Sequence, residues 1–259
     1  MKTLFNPWPC AAAVLWLFLA SPALAERCRS ERFEGDGYTV CSFDLKRADL
    51  RVFWRSAAGT PYATFDALGE ALSRRGLALQ FAMNGGMYGD DLSPIGLLIE
   101  DGNELRPANT AEVQGEPGSI PNFYKKPNGV FYMTDGEAGV MTTEAFLERP
   151  PAAVFATQSG PMLVIDNQIH PAFIVGSSDR KQRNGVGVCS PTEVRFAITE
   201  GRVNFYDFAR FFRDGLGCAD ALFLDGGSAP GLYAPELDRN DSPGHGGYGP
   251  IIGAVAPAP

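Results

Sequence analysis

The chain has 259 residues, is 45% hydrophobic, and carries 30 acidic against 22 basic residues for a formal net charge of −8. That length suffices to bury a sizeable core, and the acidic balance argues against a nucleic-acid partner, which would need a basic face. Beyond the N-terminal leader no apolar run is long enough to span a bilayer.

Residues 1–25 read as a signal peptide. Lys2 supplies the charged start, Ala11 to Ala20 is an apolar run too short for a mature span, and Ala23-Leu24-Ala25 is a small-x-small cleavage signal. The mature protein would begin near Glu26 and be periplasmic or secreted. Cys10 would leave with the leader, and Cys28, Cys41, Cys189 and Cys218 would remain. An even set in an oxidising compartment favours disulfides, with Cys28–Cys41 and Cys189–Cys218 preferred among the three pairings that four cysteines allow. Zinc is disfavoured, because there is no Cys-x-x-Cys and neither His170 nor His245 lies near a cysteine pair.

Tyr38 to Phe43 and Leu50 to Trp54 have strand patterning. A helix is predicted from Thr64 as cap through Phe65, Leu68 and Leu72 to Gly76. These elements form an N-terminal part over residues 26–76. An apolar strand over 77–83 then ends in Asn84-Gly85-Gly86, and Gly96 to Glu100 precedes an Asp101-Gly102 turn. Strand-then-turn punctuation recurs at Gly129 to Met133, Met162 to Ile165 and Val194 to Thr199. A second helix is capped by Asn204, with Phe205, Phe208, Ala209 and Phe212 at helical spacing toward Gly215 and Gly217. Its phenylalanines read as core. The strand Ala221 to Leu224 runs into Asp225-Gly226-Gly227-Ser228, and Ile251 to Val255 reads as a closing strand. Alternating βα units are too few for a doubly wound sheet. The expected fold is therefore α+β, a mixed or largely antiparallel sheet system with two main helices in one domain.

Two strand tips, each offering one polar side chain before a glycine pair, suggest one site. Glycines there let a ligand approach the main chain, and their N–H groups could form an anion-binding nest. Asn84 and Asp225 are the candidate reactive side chains, with Gly85, Gly86, Gly226, Gly227 and Ser228 lining the site. Arg183, at the root of the Gly185-Val186-Gly187 strand, could grip a phosphate through two parallel hydrogen bonds. His170 and His245 are candidates for substrate contact or proton transfer. Ser159 precedes Gly160-Pro161 and lacks a nucleophile elbow, which argues against a serine triad. Asp238-Arg239-Asn240-Asp241 could hold calcium, although a polar loop explains it as well; no cofactor is otherwise expected.

Asn84-Gly85-Gly86-Met87-Tyr88, Ser159-Gly160-Pro161-Met162-Leu163, Arg183-Asn184-Gly185-Val186-Gly187 and Leu224-Asp225-Gly226-Gly227-Ser228, in this order, resemble the phosphodiester glycosidase family. Asn122 to Tyr132, Ala156 to Ser159 and Val203 to Asp214 are similar to an exported bacterial subgroup of it. The resemblance spans roughly residues 77–255. It implies hydrolysis of a sugar-1-phosphodiester, with Asp225, Arg183 and Asn84 catalytic and Ser159 and Gly160 beside the substrate. The chain departs from the family's Arg-Thr-Ala at Asn184-Gly185 and from its third tip glycine at Ser228. An envelope or extracellular glycan is the implied substrate, and a phosphosugar-binding protein without turnover is the alternative.

Overall fold

The structure is a computed structural model and describes Met1 together with residues 27–116 and 118–258. Apart from Met1, the leader expected over residues 1–25 lies outside the described residues. In chain order the first elements are β1 (Cys28–Phe33), β2 (Asp36–Asp44), β3 (Asp49–Phe53), α1 (Phe65–Ser73), β4 (Leu77–Asn84), β5 (Leu98–Glu100), β6 (Asn103–Arg106), β7 (Gly129–Met133) and β8 (Ala138–Thr142). There follow α2 (Thr143–Glu148), β9 (Phe155–Ser159), β10 (Met162–Ile165), β11 (Gln168–Ile169), β12 (Arg183–Ser190), β13 (Glu193–Thr199), α3 (Phe205–Arg210), β14 (Asp220–Gly226), β15 (Leu232–Ala234), β16 (Arg239–Asn240) and β17 (Ile251–Pro257).

The strands form three sheets, ordered β1-β2-β13-β12-β14-β10-β11, β16-β15-β4-β17-β3 and β6-β5-β9-β7-β8. Every pairing within them is antiparallel. The α+β reading therefore holds, with α2 as a third, short helix. Phe43, Phe81, Phe131, Phe196, Leu222 and Ile252, drawn from all three sheets, share one buried core. Phe81, Phe43 and Phe196 interlock at ring centroid separations of 4.9 to 5.9 Å. A large-to-small change at such a position costs about 3–5 kcal/mol.

Each sheet also carries a helix on its other face. Phe65, Leu68 and Leu72 of α1 pack with Leu79 and Ile251, Phe146 of α2 packs with Val130 and Ala156, and Phe205, Phe208 and Ala209 of α3 pack with Val164, Ala197 and Phe223. This assigns the phenylalanine stripe of α3 to the core. Both predicted caps form: Thr64 accepts from Ala67 N–H at 3.1 Å and Asn204 from Asp207 N–H at 2.8 Å. The α3 helix runs on into one π-helical turn over Phe211–Gly215.

Both preferred disulfides are present, Cys28–Cys41 and Cys189–Cys218, with S–S distances of 2.06 and 2.05 Å. The first joins directly paired residues of β1 and β2, and the second ties β12 to the segment entering β14. Such bonds fit formation in an oxidising compartment. Among the described residues no helix is long and apolar enough to cross a membrane. The acidic segment considered for calcium is folded into β16, where Asp241 takes Arg239 Nε at 3.0 Å and Leu232 N–H at 3.0 Å. Asp241 is committed to these partners, and no group of three metal-ligating side chains occurs among the described residues.

Candidate active site at the junction of three sheets

The ends of β4, β9 and β14 and the start of β12 meet at one edge, and side chains cross between all three sheets there. Ser159 Oγ donates to Leu224 O at 2.8 Å, Thr157 Oγ1 donates to Gly85 O at 2.8 Å, and Asn184 Nδ2 donates to Asn84 Oδ1 at 2.6 Å. Asn84 Oδ1 accepts a second bond from Gly231 N–H at 2.9 Å, while Asn184 Oδ1 accepts from Asp225 N–H at 2.9 Å. A relay Asn84–Asn184–Asp225 thus fixes the main chain under the carboxylate. Buried polar links of this kind cost 1–3 kcal/mol when broken one-sidedly.

A β-bulge aims Asp225. Asn184 pairs with Asp225 but Gly185 pairs with Phe223, so Leu224 is an extra residue on β14. Such an insertion changes which face the following side chain takes. A Cβ on Gly226 would meet the Phe223 ring at 2.9 Å, so Gly226 covers Phe223. Asp225 Oδ1 accepts from Gly226 N–H at 2.8 Å. Burial pushes the Asp225 carboxyl up to about 7, with that N–H bond opposing. No neighbouring cation is close enough to hold it down, and no second carboxylate contributes to the rise.

Tyr88 stands close to this carboxyl. Its hydroxyl is buried without a partner, and burial first, then the Asp225 charge, raises its pKa. The exposed His245 ring lies 5.9 Å from the Tyr88 ring, centroid to centroid. The segment carrying it crosses the Asp225 tip, because a Cβ on Gly244 would meet Ser228 O at 2.5 Å. Beside the tip is a recess of about 620 Å³ whose lining includes Lys181, Arg202, Gly227 and Ser228. Arg180 in its wall is held by Asp36 at 2.8 Å and Asp207 at 3.4 Å, and Lys181 by Asp179 at 3.0 Å. The Arg202 guanidinium has no ion-pair partner among the described residues.

The structure brings Asp225, Gly226, Gly227, Ser228 and His245 together at a solvent-facing edge, with Asn84, Gly85 and Ser159 beneath them. Asn84 and Ser159 are fully buried, so Asn84 acts on Asp225 through Asn184 and Ser159 acts as a latch between sheets. Gly160 is buried against Asn128, which a Cβ there would meet at 2.5 Å. The expected nest is largely spent. Gly85 N–H goes to Pro250 O at 2.6 Å and Gly227 N–H to Gln182 O at 3.0 Å. Gly86, at φ +151°, lies against Thr157 Oγ1, which a Cβ would approach to 3.0 Å.

Two expectations are corrected. Arg183 does not reach Asp225: neighbouring strand residues face opposite ways, so Asn184 turns to Asn84 and Arg183 turns to the α3 side. Its side chain is 1% exposed and lies 3.6 Å from Asp179 Oδ2. Nε donates to Val203 O at 2.7 Å and Nη2 to Asp179 O at 3.1 Å, and the guanidinium stacks 3.6 Å over Phe205. His170 likewise sits away from Asp225 and is buried. Its Nε2–H donates to Lys126 O at 3.1 Å and its Nδ1 accepts from Ala172 N–H at 3.2 Å. Burial lowers its pKa, which suits a neutral structural ring.

Asn184, Tyr88, Thr157 and Arg202 escaped the reading of the sequence as site residues. Asn184 and Tyr88 lie inside the quoted motifs, and the asparagine in β12 was the available signal, since a buried amide needs partners.

A phosphodiester glycosidase family model matches residues 78–251. The chain belongs to the phosphodiester glycosidase family. The Escherichia coli protein YigE, itself uncharacterized, is 34% identical over 177 residues, covering 68% of this chain and 66% of YigE. The catalytic domain of zebrafish N-acetylglucosamine-1-phosphodiester alpha-N-acetylglucosaminidase, auto-inhibited by its pro-peptide, shares the fold at TM-score 0.58 and 15% identity, over 87% of this chain and 80% of that one. A Synechocystis protein aligns at TM-score 0.57 and 14% identity, over 88% and 61% respectively. The chain thus spans somewhat less than two thirds of the length of YigE and of the Synechocystis protein.

Proposed function

We propose that this protein is an exported hydrolase that cleaves a sugar-1-phosphodiester bond in an envelope or extracellular glycan, with Asp225 as general base. Family membership supports the reaction class, and the disulfides and leader pattern support export to the periplasm or beyond. The observation that carries the reading is the Asp225 carboxyl, fixed by the Asn84–Asn184 relay and held by burial at a pKa of about 7. A base with that value is half ionised at neutral pH, where proton transfer is most effective.

In the proposed step Asp225 takes a proton from water as the water oxygen bonds to the anomeric carbon. The bond between the anomeric carbon and the bridging oxygen breaks, and its electron pair leaves on that oxygen with the phosphate monoester. That leaving group is good without strong protonation, so the paired carboxylates of ordinary glycosidases are not required. Charge growing on the phosphate would be met in the recess beside Gly227 and Ser228 by Arg202, whose guanidinium is not neutralised by a carboxylate.

The test is hydrolysis of a panel of hexosamine-1-phosphodiesters by the wild type and Asp225→Asn. Turnover by the wild type, lost in the variant while substrate still binds, is the expected result. Binding with no turnover by either protein would leave a phosphosugar-binding protein in place of an enzyme.

A further inference from the structure

A cavity of about 550 Å³ opens beside α3, a size typical of small-molecule sites. Phe205 and Tyr206 of that helix line it, whereas Asp225, Gly227 and Ser228 do not, so it is separate from the candidate active site. The faces of Phe173 and Phe205 are already taken by His170, by each other and by the Arg183 guanidinium. The rest of the apolar lining comes from Val113, Ile120, Tyr124, Ala172, Ile174 and Tyr206.

The mouth of this cavity holds apolar side chains in water. Val113 is 40% exposed and Ile174 is 71% exposed, as is Val175 beside it in the chain. Local bonds hold the Ile174 segment in place: Ala172 N–H donates to His170 Nδ1, Ser177 N–H to Ile174 O and Asn204 Nδ2 to Ser177 O, each at 3.2 Å. Exposed apolar side chains gathered around a concavity mark a binding surface.

Most polar groups in the lining are already engaged. Both His170 nitrogens are bonded, Lys126 is paired with Glu144 at 3.2 Å, and Asp179 is divided between Lys181 at 3.0 Å and Arg183 at 3.6 Å. Lys125 is different. Half-buried, it donates from Nζ to the neutral Asn122 Oδ1 at 2.8 Å and pairs with no carboxylate among the described residues. Burial lowers its pKa, with Asp179 opposing and Arg183 and Lys181 adding to the fall, so an anion at its head would relieve a cost already present. A sugar or a peptide backbone would bury several donors and acceptors for which the lining has few free partners. A hydrocarbon chain ending in one negative charge suits it better, with an apolar body for the aliphatic walls and a single acid for a compact ammonium.

We propose that this cavity binds an amphiphilic monoanion of the fatty-acid type, its chain along Val113, Ile120 and Ile174 and its carboxylate on Lys125 Nζ. Binding there needs no chemistry at Asp225, so the site stands whether or not the hydrolase reading does.

The experiment is calorimetric titration of the full chain with hexanoate, octanoate, decanoate, decanol and decyltrimethylammonium, each kept below its micellar concentration. Affinity should rise about tenfold for each two-methylene step of the carboxylates, with decanol at least about tenfold weaker than decanoate and the cation weaker still. Lys125→Met should bring decanoate down to the level of decanol and leave decanol unaltered, as loss of one charge-assisted bond does. Ile174→Ser should weaken both about tenfold, and Asp225→Asn should bind as the wild type does. Neither Lys125 nor Ile174 is buried, and thermal melts would verify that the variants fold. Absence of decanoate binding, affinity independent of chain length, decanol binding as tightly as decanoate, or binding indifferent to both Lys125→Met and Ile174→Ser would each overturn the proposal. So would a dimer in sedimentation that Ile174→Ser dissolves, which would give the cavity mouth to a second copy of the chain.

Discussion

The two faces of β12 and β14 carry opposite electrostatic designs within one residue of each other. On one, Asn184 hands its amide to Asn84 and its oxygen to Asp225 N–H, and a carboxyl with no counter-ion is raised to about 7. On the other, Arg183 is packed between Phe205 and the Val203 and Asp179 carbonyls, and burial pushes it down to about 10. The pleat of the strand separates a guanidinium and a carboxylate that the sequence brings to the same tip. The separation matters chemically, because an Arg183 charge beside Asp225 would lower its pKa and make it a poorer base at neutral pH.

The sharpest way to break this contrast is to remove the carboxylate charge. Asp225→Asn should lower hydrolysis by about 10²–10⁴-fold, the range for loss of a positioned base, read as kcat/KM on a sugar-1-phosphodiester. Next is the relay. Asn184→Ala strips a bond from Asn84 and one from Asp225 N–H, and should cost about 2 kcal/mol in denaturant unfolding. If Asn184 only filled space, the loss would stay within a few tenths of a kcal/mol.

The Asp225 pKa also sets a pH dependence of stability. A folded value above the ordinary carboxylate range stabilises the fold at low pH and loses that contribution as pH rises toward about 7. Asp225→Asn should therefore gain on the wild type between pH 4 and pH 8, by about 1–3 kcal/mol at the upper end. Parallel melting curves of the two proteins across that range would contradict the buried-acid assignment. The smallest effect is expected at Arg202→Gln, where loss of one exposed cation should raise KM about three- to fivefold with little change in kcat. A larger fall in kcat would place Arg202 in the transition state, and no change would remove it from the site.

Much of this was legible in the residues. The Thr64 and Asn204 caps, the α3 phenylalanines as core, the closing strand at Ile251 and both disulfides follow from spacing and local chemistry. So does the meeting of the Asn84 and Asp225 tips, since each glycine pair ends a buried strand. The direction of side chains at those tips was not legible. Strand parity at Arg183 depends on which face of β12 meets α3, and the aim of Asp225 depends on the bulge at Leu224, a property of pairing between segments forty residues apart. The free N–H groups expected of the glycines were also claimed by partners far away in sequence, Pro250 and Gln182.

The central claim is that the Asp225 carboxyl titrates near neutrality. Carbon-13 NMR of aspartate side-chain carboxyls, assigned by comparison with Asp225→Asn, measures that pKa directly. A resonance titrating near 7 and absent from the variant is the predicted result; a midpoint near 4 would contradict it.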